Sequence, residues 1–112
     1  MTRKEFEEAV RDAAGSLPKR FRDRLENVEI VVEEGTADGK FLGLYQGIPH
    51  TERGTGYSGV LPDKITLFKR AIEAECEANG LDIRQEIARV VRHEIAHHFG
   101  IDDGRLEDLG AY

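Results

Sequence analysis

Apolar residues recur at helical spacing through the first part of the chain. This pattern predicts an amphipathic helix over residues 3–14, because residues three and four apart lie on one helix face. Thr2 and Glu5 form a capping box at its start, Gly15 ends it, and Pro18 begins a short second helix. The residues of the apolar stripe are Phe6, Val10, Ala13, Ala14 and Leu17.

Three later segments, 28–33, 41–46 and 64–68, are rich in β-branched, aromatic or aliphatic residues and are predicted to be strands. Residues 35–39 contain an Asp-Gly turn signal, so the first two strands are predicted to form a hairpin. Residues 47–62 contain four glycines and two prolines and are predicted to form a loop. Loops of this length are uncommon in compact domains unless they serve a function.

Helical periodicity returns in the last part of the chain. A helix is predicted over residues 70–79, and Gly80 ends it. The final helix is predicted to start at the N-cap Asp82 and to run to about Phe99, before a left-handed cap at Gly100. Its apolar stripe consists of Ile83, Ile87, Val90, Val91 and Ile95.

Size and charge narrow the class of protein. A chain of 112 residues predicts one domain, residues 1–112. The net charge of −6 disfavours a nucleic-acid partner, which would require clustered Lys and Arg. No apolar run approaches the roughly 18 residues of a membrane span, so no membrane partner is expected. The composition does not indicate an oligomeric state.

Cys76 is the only cysteine, which excludes an internal disulfide. The N-terminus has no apolar segment behind its charges and therefore lacks the pattern of a signal peptide. Together these features predict a reducing, cytoplasmic location. The acidic neighbours of Cys76 should raise its thiol pKa, which favours a buried structural residue over a catalytic one.

The residues that can carry chemistry lie on the final helix. His93 and His97 are one helical turn apart, which places their Cβ atoms about 5–6 Å from each other on one face. Two imidazoles at this spacing can bind one zinc ion. Glu94 is the general base that H-E-x-x-H metalloprotease chemistry requires. The alternative is that the five-letter motif occurs by chance on a polar helix face.

A catalytic zinc ion needs a third protein ligand and leaves its fourth position to water. Three residues after Gly100 span at most about 10 Å, so Asp103 is within reach, with Asp102 as its competitor. Asp103 is favoured because it has the offset of the third ligand in H-E-x-x-H-x-x-G-x-x-H families. A closed structural zinc site is the other alternative, and Glu94 argues against it because closed sites usually have four protein ligands.

Other polar residues are predicted to be solvated or to have supporting roles at the site. His98 points about 100° away from His97 and is predicted to lie at the core edge or to support the ligands. His50 and Glu86 are predicted to be solvated, with roles in lining the cleft or supporting the metal as alternatives. The candidates for stabilising an oxyanion are Tyr57, Tyr112, His50 and Arg53.

With this motif, the chain resembles the zincin metallopeptidases, and more narrowly the small bacterial minimal zincins with H-E-x-x-H-x-x-G-x-x-D. The resemblance implies one zinc ion on His93, His97 and Asp103, with Glu94 as the base. It also implies an α+β fold, in which a short mixed or antiparallel sheet packs on an N-terminal backing helix and a C-terminal active-site helix. A peptide substrate would pair with an edge strand, which is either the second or the third predicted strand.

The predicted function is therefore a zinc metallopeptidase, a hydrolase that acts on peptides or proteins. A metal-dependent endoribonuclease is the first alternative, since one bacterial family has a similar H-G-x-x-H-x-x-G-x-D-H motif. Glu94 and Asp103 distinguish the two, because that family has glycine and histidine there. The second alternative is a non-catalytic peptide-binding module that retains the metal.

Overall fold

The structure is a computed structural model, and it describes residues 1–23, 25, 28–47 and 63–98. Within these residues there are four helices and three strands. The helices are α1 (Arg3–Gly15), α2 (Lys19–Arg22), α3 (Lys69–Asn79) and α4 (Ile83–His98), and the strands are β1 (Val28–Glu33), β2 (Gly43–Gln46) and β3 (Asp63–Phe68). None of the described helices is long and apolar enough to cross a membrane.

The three strands form one mixed sheet in the order β1-β3-β2. β3 runs parallel to β1, with Val28 opposite Asp63, and antiparallel to β2, with Gly43 opposite Leu67. The predicted hairpin of the first two strands is therefore wrong, because β3 lies between them. In this position, between two strands and against α4, β3 has most of its residues buried on both faces. The Asp-Gly turn signal is local and does not determine which strands pair.

The helix ends follow the predicted capping residues. The Thr2 hydroxyl accepts a hydrogen bond from the Glu5 amide at 3.1 Å, and the Thr2 amide donates to the Glu5 side chain at 3.0 Å. Asp82 accepts from the Gln85 amide at 2.9 Å, which caps the start of α4. Gly80, with φ of 64°, ends α3 in the left-handed conformation. These three predictions are confirmed.

α4 is the element around which the others pack. It contacts α1, α3, β2 and β3, so the helix that carries the motif is supported on several sides. Ile87 and Val91 on α4, Phe6 on α1 and Ile65 on β3 are fully buried. The guanidinium of Arg3 also donates to the Val32 carbonyl and joins α1 to β1. The predicted α+β class is thus confirmed, with a mixed sheet.

Candidate active site

The two motif histidines lie one turn apart on α4, and their rings meet. The Nε2 atoms of His93 and His97 are 3.1 Å apart, and the ring centroids are separated by 4.7 Å. Two Zn–N bonds of about 2.0–2.1 Å at a tetrahedral angle require nitrogens about 3.3 Å apart. The observed separation is close to this value, so the pair fits two ligands of a single zinc ion.

The carboxyl group of Glu94 lies against the sheet. Glu94 is only 8% exposed, and β2 approaches α4 closely at Gly43. A Cβ atom on Gly43 would lie 2.9 Å from Cγ1 of Val90 and 3.0 Å from Cγ of Glu94. Any side chain at this position would displace one of the two, so glycine at position 43 is required for the observed placement of Glu94.

His93 and Glu94 line a cleft of about 250 Å³ between α4 and the segment that leads into β2. One wall comes from α4 and the other from residues just before β2. The remaining lining residues are Lys40, Phe41, Leu42, Gly43, Arg89 and Val90. None of these residues was predicted from the sequence to belong to the site. A glycine within a strand is a signal for close backbone approach, and Gly43 could have been found in that way.

Several predicted site residues lie outside the described part of the chain. Asp103, its competitor Asp102, Gly100 and the loop residue His50 are among them, as are Tyr57, Tyr112 and Arg53. The backbone of His98 is the last helical position, but its side chain is also outside the described set. Among the described residues, no group of three His, Cys, Asp or Glu side chains could hold a metal ion.

The prediction that Glu86 is solvated is wrong. Glu86 is only 5% exposed, and the Arg89 guanidinium donates to both of its carboxylate oxygens, with Nη2 to Oε2 at 3.0 Å. This ion pair holds the pKa of Glu86 below its ordinary value. Because Arg89 also lines the cleft, the buried carboxylate of Glu86 holds one cleft wall in a defined orientation.

Glu75 on α3 lies next to the Glu86–Arg89 ion pair. A hydrogen bond with Glu86, followed by burial and the charge of Glu86, raises the pKa of Glu75 from 4.5 to about 7. Burial and the same two carboxylates also raise the pKa of the Cys76 thiol. Cys76 is buried in the core, as the prediction of a structural cysteine requires.

The Glu75→Gln variant should remove a pH dependence of stability. The folded-state pKa of Glu75 is about 7 and the unfolded-state value is 4.5, so protonated Glu75 stabilises the fold fully below pH 4.5, and this contribution is lost as pH rises through 7. The wild-type free energy of unfolding should therefore fall by about 1–2 kcal/mol between pH 5 and pH 8, relative to the variant. Urea unfolding at both pH values measures this difference. A Glu77→Gln change, at an exposed position of the same helix, should leave the wild-type pH dependence in place.

Comparison with known protein families gives one match that includes the helix with the two histidines. A family model described as a zincin-like metallopeptidase matches residues 25–111. The chain belongs to the zincin-like metallopeptidases. The match begins just before β1 and includes all of α4, so it contains both the cleft and the histidine pair. The predicted resemblance is confirmed at the level of the family, and membership implies a zinc cofactor in general terms.

One solved structure shares the fold of this chain. A conserved hypothetical protein from Thermo thermophilus superimposes with a TM-score of 0.58 and is 23% identical in sequence. The alignment covers 88% of this chain and 94% of that protein. At this identity the likeness shows the fold alone. No curated protein matches the sequence.

Proposed function

We propose that the protein is a zinc-dependent metallopeptidase that hydrolyses peptide bonds, with Glu94 as the general base. The observation that carries the proposal is the pair of imidazole Nε2 atoms, 3.1 Å apart, on the helix turn that also directs Glu94 into a cleft. Membership in the zincin-like family supports the reaction class. We also propose that residues 1–112 form one domain and that the substrate is a cytoplasmic peptide or protein.

The proposed zinc ligands are His93, His97 and Asp103. The two imidazoles have the spacing that zinc requires, and the described residues offer no third ligand beside them. We therefore assign the third position to Asp103, which lies outside those residues and has the offset of the third zincin ligand. When bound, zinc supplies Lewis acidity, which acidifies water and polarises a substrate carbonyl.

Glu94 carries out the proton transfer in this proposal. Its carboxylate accepts a proton from the attacking water and delivers it to the amine that leaves. Burial against Gly43 restricts the side chain, so the carboxylate oxygens stay beside the cleft without a large loss of side-chain entropy on substrate binding. The cleft walls also include two basic residues, Lys40 and Arg89, and the charge of Arg89 is offset by its ion pair with Glu86.

β2 is the proposed strand for substrate binding. β3 pairs with β1 on one edge and with β2 on the other, so an added peptide strand has no place beside it. β2 pairs with β3 on one edge only, within the described residues, and its first residue faces Glu94. A peptide that extends the sheet at β2 would pass directly over the catalytic turn of α4.

A peptide-cleavage assay with controlled zinc content tests the function. Protein loaded with zinc should cleave members of an internally quenched peptide library, lose the activity after chelation, and regain it with about one zinc per chain. If the fully zinc-loaded protein cleaves no peptide, the peptidase proposal is wrong. Retained peptide binding would then favour the non-catalytic module, and cleavage of RNA would favour the endoribonuclease.

A further inference from the structure

A second hollow of about 250 Å³ adjoins the proposed active-site cleft. It lies where the turn after β1 meets the end of β3 and the segment before β2. Two of its lining residues, Lys40 and Phe41, also line the cleft that contains His93 and Glu94. The other lining residues are Gly35, Thr36, Gly39 and Phe68. The two spaces therefore lie next to each other on either side of the segment that leads into β2.

Phe41 stands at the junction of the two spaces with its ring in water. It is 57% exposed, which is more than any other large hydrophobic residue of the described chain. Its position is constrained by the next residue, because the Leu42 carbonyl accepts a hydrogen bond from the Phe68 amide at 2.9 Å. An aromatic side chain held in an exposed position next to a cleft has apolar surface available for a ligand.

Two of the residues that line the second hollow are glycines at positions where a side chain would meet close neighbours. Gly35 has φ of 64°, and a Cβ atom there would approach the Phe68 side chain to 3.2 Å. A Cβ atom on Gly39 would come within 3.1 Å of the Thr36 carbonyl oxygen. Phe41 and Phe68 are the two aromatic residues that line the hollow. Because an apolar cavity of about 150 Å³ is enough for a benzene ring, this hollow has room for one large side chain.

We propose that the second hollow is a subsite for one large apolar side chain of the peptide substrate, aromatic or branched aliphatic, and that Phe41 determines this specificity. The inference rests on the proposed peptidase function, because it treats the adjoining cleft as the site of cleavage. Its basis is that the two spaces adjoin at Lys40 and Phe41, that the Phe41 side chain is exposed there, and that the second hollow has apolar walls. Phe41 acts by contact with the substrate and has no part in the chemical step.

The test separates binding from turnover by using a catalytic-base variant. Zinc-loaded Glu94→Gln protein is titrated with fluorescent peptide pools that differ only in the side chain at one randomised position. At one such position, peptides with Phe, Tyr, Leu or Ile should bind at least about tenfold more tightly than peptides with Ala or Ser. Adding Phe41→Ala should reduce this ratio to about twofold, whereas Phe41→Leu should retain part of it.

Leu81→Ala is the matched control, because Leu81 is also an exposed large hydrophobic residue, 43% exposed, but does not line either space. It should leave the binding ratio unchanged. The proposal is overturned if the parent variant shows no apolar preference, or if Phe41→Ala keeps it. A separate cleavage assay with zinc-loaded wild type tests the peptidase function. Apolar-selective binding without any cleavage would contradict that function and leave the binding subsite standing.

Discussion

Replacing Glu94 by glutamine should lower kcat for peptide hydrolysis by about 10²–10⁴-fold, the range of general acid–base catalysis by a positioned side chain. Glutamine has the same shape, so it should keep the close approach to Gly43. It cannot accept the proton of the attacking water, and the loss should therefore appear in kcat rather than in zinc content. Steady-state kinetics and elemental analysis of the same preparation measure both quantities.

Two controls show whether the loss at position 94 is chemical. Glu75→Gln changes another partly buried glutamate, on α3, and should leave kcat at pH 6 within about twofold, because Glu75 does not line the cleft. Thermal unfolding should show that Glu94→Gln is folded. A Glu94→Gln protein that keeps a third or more of the wild-type kcat would eliminate Glu94 as the base. Loss of zinc together with activity would instead indicate a structural role.

The helix ends and the histidine pair could be predicted from the sequence because they depend on residues three or four positions apart. The capping residues Thr2, Asp82 and Gly80 act within three or four positions of themselves, and all three were identified correctly. The meeting of His93 and His97 follows from the same periodicity, since residues four apart lie on one helix face.

Strand order was not accessible in the same way. An Asp-Gly turn between two strand-like segments favours a hairpin locally, but β3 supplies more buried surface and takes the place between β1 and β2. Both faces of β3 are largely buried in the structure, but its sequence includes Lys64 and Thr66 and does not show this. Pairing partners are set by the whole core, which a local pattern does not contain.

The cleft walls depend on tertiary contact and were largely missed. Arg89 faces the cleft because the buried Glu86 binds it, and a glutamate two turns before the motif has the sequence pattern of an ordinary solvated residue. Phe41 was expected only as part of a strand, yet the observed strand begins at Gly43 and leaves the phenyl ring exposed. Neither placement follows from hydrophobic periodicity.

Substitution of a proposed zinc ligand should cause the largest loss of metal affinity. His97→Ala and Asp103→Ala should each weaken zinc binding by at least about a hundredfold, since even the groups that only support metal ligands contribute about 10–100-fold. Competition with a chromophoric chelator measures the zinc affinity of each variant at fixed pH. Asp102→Ala is the matched control: it removes the neighbouring carboxylate and should leave the affinity within about threefold of wild type.

Asp102 and Asp103 are adjacent, so comparing the zinc affinities of their alanine variants tests which residue is the third ligand. Only one of them can have the offset of the third zincin ligand, three residues after the glycine. If Asp102→Ala loses zinc and Asp103→Ala keeps it, the third ligand is misassigned although the histidine pair stands. If both variants keep wild-type affinity while His97→Ala loses it, the third ligand comes from another part of the chain. If His97→Ala itself keeps full affinity, the 3.1 Å contact of the two imidazoles is a helix-surface hydrogen bond, and the metal site on α4 is wrong.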